Sequence, residues 1–157
     1  MTKFWQRIIA VTEVVGGALA LSATVFAAKA GASKSALILG ATLDLLVFVA
    51  GVALWFGAAT GIVLSEIALA LQCVQVFTAR FVWQYVAGLA VLVQMIGGEM
   101  QWSGGLLVRH TFSQDEGSRG AGLGVNVVAV AAVTFLMLSQ KRGKSSRLRG
   151  DWNRPSQ

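Results

Sequence analysis

The sequence predicts an all-α integral membrane protein, a bundle of five transmembrane helices or alternatively four, with its C-terminus in the cytoplasm. Three observations predict it. Hydrophobic residues make up 55% of the 157 residues and charged ones only 13%, about half the charged share of an ordinary soluble domain. The 64 residues from Ser35 to Gly98 carry three charges, Asp44, Glu66 and Arg80. Six basic residues follow an apolar run directly from Lys141 onward, the pattern of a cytoplasmic topology signal.

The first span is expected over 8–28. Lys3, Arg7, the apolar run and Ala28-Lys29-Ala30 resemble a secretory signal peptide. The run contains Glu13 and is about 21 residues long, enough to cross a bilayer, so it is read as a retained helix. At 100° per residue Glu13, Gly16, Gly17, Ala20 and Thr24 share one side. Gly16, Ala20 and Thr24 form a ladder of small residues that lets helix backbones approach in lipid. The second span is expected over 36–56, with Gly40, Asp44, Gly51 and Trp55 on one side. In both helices the acid lies on the small-residue face, where a charge avoids lipid.

As helix, the run from Ser35 to Gly98 is roughly 96 Å long, about three crossings of a 30 Å hydrocarbon core. Breaks at the GAATG of Gly57–Gly61 and near Thr78–Arg80 divide it into spans 36–56, 61–77 and 81–98. The loop Glu99–Ala121 is then external, 122–139 is the last span, and 141–157 is a basic cytoplasmic tail. In the four-helix alternative Leu45–Ser65 is one span, and Gly57 and Gly61 form a GxxxG packing face. Both readings place the tail inside. Five spans leave fewer apolar residues outside the lipid.

Candidate ion or proton groups are the intramembrane Glu13, Asp44, Glu66 and Arg80. Glu13 and Glu66 come out at similar depth in either topology, and two acids at one level can share a proton or hold a cation. Candidate helix-packing positions are Gly16, Gly17, Ala20, Gly40 and Gly51. Lys141, Arg142, Lys144, Arg147 and Arg149 are expected to touch anionic lipid; because they follow an apolar helix, they are not read as a nucleic-acid patch.

The chain has one cysteine, Cys73, and one histidine, His110. An intramolecular disulfide and a cysteine or histidine metal cluster are therefore excluded. The stretch GSRGAGLG from Gly117 lacks the GK[ST] of a phosphate loop, and no nucleophile–base pattern stands out. The expectation is no enzyme, no cofactor and no metal. What remains is a small multi-pass membrane protein serving as a structural or accessory subunit, beside a membrane-protein partner or a second copy. It would reside in a bacterial inner or plasma membrane, or in an organelle membrane. The alternative is a small transporter or a proton- or cation-conducting bundle built on the intramembrane carboxylates.

Overall fold

The computed structural model describes residues 2–78, 82–113 and 121–151, of which 2, 110–113 and 142–151 contribute backbone alone. Over these residues the elements run α1 (Thr2–Lys29), α2 (Lys34–Trp55), α3 (Ala59–Cys73), β1 (Val74–Phe77), β2 (Val82–Ile96), β3 (Glu99–Ser113), β4 (Gly122–Asn126) and α4 (Val127–Asp151). The expected all-α bundle of five spans, and with it the multi-pass helical-bundle reading, is corrected: the described residues form four helices and a four-stranded antiparallel sheet. Two helices, α1 and α2, are long and apolar enough to cross a membrane.

The first two expected spans lie within α1 and α2. Their connection turns on Gly31 with φ 84°, and the hydroxyl of Ser33 caps α2 by accepting from Ala36 N at 3.4 Å. α2 ends before Gly57, which takes φ 71°, and α3 then packs back closely: a Cβ on Gly61 would lie 2.4 Å from Leu54 N. The third expected span, 61–77, stops being helical at Cys73. From there the chain reads VQVF, two β-branched valines and a phenylalanine with one glutamine, residue types that suit a pleated surface better than a helix.

The fourth expected span, 81–98, is the long strand β2, and the expected external loop is its partner β3. The two pair antiparallel from Val82↔Ser113 to Ile96↔Glu99. Only Gly97 and Gly98 join them, with φ 61° and 87°. A two-residue hairpin with positive φ at both positions matches the right-handed twist of its strands, and two glycines adopt it without a Cβ clash. From Gly88 to Met95 burial alternates residue by residue. The outward members, Leu89, Val91, Val93 and Met95, are themselves apolar, so no polar beat marks the period of two in the sequence. The fifth expected span, 122–139, opens as β4, and helix begins only at Val127.

The strand order is β1-β4-β2-β3, with β1 also paired to β2. β1 pairs with β4 and with the start of β2, and β4 pairs with Leu92–Ile96 at the end of β2, all antiparallel. Three strands each antiparallel to the other two close a ring only if one of them reverses direction. β2 makes that reversal between Trp83 and Leu92, and Gly88 midway along it has φ 121°. The bend lies against α1, where a Cβ on Gly16 would sit 2.6 Å from Ala87 O and Gly88 Cα.

The main core joins Ala20, Leu43, Val47, Ala50, Ala68, Tyr85 and Ala87 from α1, α2, α3 and β2. A second cluster, Leu69, Ala129 and Leu136, holds α4 on α3. A third, Val86, Ala90 and Leu92, sits within the sheet against Leu107.

Candidate functional site

The packing candidates are all buried: Gly16, Gly17, Ala20, Gly40 and Gly51. They serve two different interfaces. Gly17 and Gly51 join α1 to α2, since a Cβ would lie 2.7 Å from Phe48 N in the first case and 2.8 Å from Ala10 O in the second. Gly16 instead admits the bent backbone of β2.

The acids of the first two helices point inward, Glu13 at 2% exposure and Asp44 at 0%. Asp44 Oδ2 accepts from the Thr24 hydroxyl at 2.8 Å, and its Oδ1 accepts from Tyr85 at 3.4 Å, so α1, α2 and β2 meet on one carboxylate. Glu13 Oε2 accepts from the Ser65 hydroxyl of α3 at 2.6 Å. Glu66, one residue further on, accepts from Gln140 Nε2 of α4 at 2.9 Å. Glu13 and Glu66 thus engage separate partners on different helices. Arg80 lies outside the described residues. Lys141 is exposed; Arg142, Lys144, Arg147 and Arg149 follow on the same helical backbone, with their side chains outside the described set.

The glutamines carry the junction between helices and sheet. Gln72 Oε1 accepts from Ala87 N at 2.9 Å, and its Nε2 donates to Ala68 O at 3.3 Å. A backbone amide of the bent strand is thereby satisfied from α3. Gln75 Oε1 accepts from Gln84 Nε2 at 3.1 Å and also from Gln94 Nε2, joining β1 to both arms of β2. Buried polar groups are tolerated when hydrogen-bonded, and here they hold the strand reversal in place.

Beside this junction lies a cavity of about 390 Å³ between α1, α3, β2 and α4. Its wall is mostly apolar, including Ile8, Ile9, Leu69, Leu89, Ala132 and Phe135; four polar residues, Thr12, Glu13, Gln72 and Asn126, also line it. Concave, largely apolar sites with a few convergent polar groups are the usual form of small-molecule pockets. Two of the four keep an unmet atom: Glu13 Oε1 and Asn126 Nδ2 are buried and have no hydrogen-bond partner among the described residues. Asn126 caps α4, its Oδ1 accepting from Ala129 N at 3.3 Å. The cap fixes which end of the amide faces the helix, so the leftover group is a donor.

Asn126, Ser65 and Tyr85 are the site residues that sequence reasoning missed; Thr24 is expected on the inward face of α1 as a packing residue, not as the donor to Asp44. A signal existed for Asn126, because an asparagine immediately before VVAVAAV is a helix-start pattern. None existed for the others, whose roles depend on which elements become neighbours. Among the described residues no group of three or more His, Cys, Asp or Glu could hold a metal ion. No protein-family model, curated protein or solved structure matches this chain.

Proposed function

We propose that this chain is a membrane-anchored structural or accessory protein, held in the bilayer by the α1–α2 hairpin and assembled through the free edge of β3, with a second copy of the chain as its partner. The observation that carries the anchor is the polarity of the hairpin. Glu13 and Asp44 face inward, while Val11, Val15, Leu19, Leu45 and Val49 are exposed outward. Only 28% of the most apolar stretch of α1 and 39% of that of α2 is buried, so neither resembles the core helix of a water-soluble fold. Lys141 and the basic residues after it would rest on anionic headgroups at the end of α4.

The assembly surface follows from the sheet. Pairing of β1 with β2 closes one side of the ring, and among the described residues β3 pairs with β2 alone. Its outer edge is a 15-residue row of unmatched backbone groups flanked by Met100 and Trp102, exposed at 74% and 80%. Such an edge is a template for another strand and does not occur bare in hydrocarbon. Laid antiparallel on itself about Gly104, β3 sets Glu99 opposite Arg109 of the second copy, Met100 opposite Val108 and Trp102 opposite Leu106. Opposite charges and aromatic–aliphatic pairs are the favourable cross-strand neighbours, and a two-fold pairing repeats each contact.

The test places a cysteine at the two-fold. Gly104 has ordinary φ, and a Cβ there meets Val91 Cγ2 at 3.5 Å without a clash. In a Cys73→Ser background, Gly104→Cys should give an oxidised dimer in mild detergent. Glu99→Lys should suppress the cross-link, and adding Arg109→Glu should restore it. A cross-link indifferent to both charge changes rejects the second copy as partner, and release of the protein by alkaline carbonate rejects the anchor. The transport reading draws on less, because Glu13, Asp44 and Glu66 are each met by a different set of neutral donors.

A further inference from the structure

We propose that the cavity between α1, α3, β2 and α4 binds a long-chain or polycyclic alcohol, with the apolar body against Ile9, Leu69 and Phe135 and the hydroxyl between Asn126 and Glu13. The polar groups select the ligand class. In its ionised form Glu13 offers Oε1 as an acceptor left over after Ser65 has taken Oε2. Asn126 Nδ2 is a donor left over after the cap has taken Oδ1. A hydroxyl both donates one proton and accepts through its lone pairs, so its chemistry answers both an unmet acceptor and an unmet donor.

Ketone, ammonium and anionic headgroups match at most one of the two. A ketone or quinone accepts from Asn126 but offers Glu13 no proton. An ammonium satisfies Glu13 but turns its own donors toward Asn126. A carboxylate or phosphate sets negative charge against Glu13. The size of the cavity points in the same direction. A water takes up about 30 Å³ of liquid and needs two or more polar partners. A space of about 390 Å³ with four polar residues and an otherwise apolar wall therefore suits a molecule that is mostly hydrocarbon. This site is independent of β3 pairing, so it should bind in dimer and monomer alike.

The test uses the full chain in nanodiscs with radiolabelled hexadecanol as probe, and hexadecane, hexadecylamine and 2-hexadecanone as competitors. Saturable binding near one hexadecanol per chain is expected, with each competitor at least tenfold weaker. Asn126→Asp keeps an oxygen for the cap and removes the donor; it should weaken hexadecanol about tenfold, the order expected for one lost hydrogen bond. Glu13→Gln replaces the acceptor with an amide that can donate, and should shift the preference from the alcohol toward the ketone. Ala132→Trp fills the cavity from its wall and should abolish saturable binding while circular dichroism stays unchanged. Equal binding of hexadecane and hexadecanol overturns the headgroup assignment, and retention of binding by Ala132→Trp overturns the site. Should Asn126→Asp fail to fold, the ketone preference of Glu13→Gln decides the assignment alone.

Discussion

The α1–α2 hairpin and the β2–β3 hairpin are both long, antiparallel and rich in exposed apolar side chains, and each turns on glycine with positive φ. They differ in how complete they are. Each helix satisfies its own backbone, so the helical pair can expose leucine and valine to lipid on every outer side. A strand satisfies its backbone only through neighbours. β2 has β3 on one side and β1 and β4 on the other, but among the described residues β3 has one neighbour and an open edge. Hydropathy is therefore no guide to self-sufficiency: the helical hairpin is finished alone and the strand hairpin is not.

The largest effect should come where the two hairpins touch. Gly16→Ala puts a Cβ 2.6 Å from backbone atoms of Ala87 and Gly88, and no side chain can rotate away to make room. We expect a loss of about 3 kcal/mol, the upper part of the usual overpacking range, outweighing the gain of about 1 kcal/mol in helix propensity. Reversible unfolding in mixed micelles measures it; an unchanged midpoint would show that the hairpins do not depend on this contact.

A middle-sized effect should separate turn strain from packing. Gly98 has φ 87° and Gly31 has φ 84°, and a Cβ added at either would meet nothing within 4 Å. Alanine at either site should cost about 1 kcal/mol from backbone conformation alone. The Gly98→Ala loss should appear in the strand signal and the Gly31→Ala loss in the helix signal, if the hairpins unfold separately. The smallest effect should be Ser33→Ala, which removes an exposed cap of 3.4 Å and should cost about 0.5 kcal/mol. A loss several times greater would mean that the α1–α2 turn governs more of the fold than its exposure suggests.

Part of this architecture was legible in the chain. The two N-terminal helices, the small-residue face with Glu13 turned inward, and the turn at Gly57 follow from the 3.6-residue period and from glycine placement. β2 was not legible, because its outward residues are as apolar as its inward ones and the run imitates a buried helix. The Gly97–Gly98 pair and the valine-rich flanks were the available cues, and the absence of polar alternation outweighed them. At the candidate site Glu13 was visible as an acid in an apolar run, whereas Asn126 falls inside the expected span 122–139, although an asparagine before VVAVAAV is a helix-start signal. Their sharing of one cavity was not visible, because it depends on α4 returning across α3.

By itself, then, the sequence determined the apolar outward-facing character of α1 and α2, the inward side of their acids, and the basic end of the chain. These are properties of a single helix face or a local composition. Only the tertiary structure decided that VWQYVAGLAVLVQMI is strand, that β2 reverses at Gly88 to close a ring, and that Glu13 meets Ser65 rather than Glu66. Strand pairing and cavity lining join residues far apart in the chain, and a one-dimensional pattern of hydropathy carries no information about which distant segments will supply one another's hydrogen bonds.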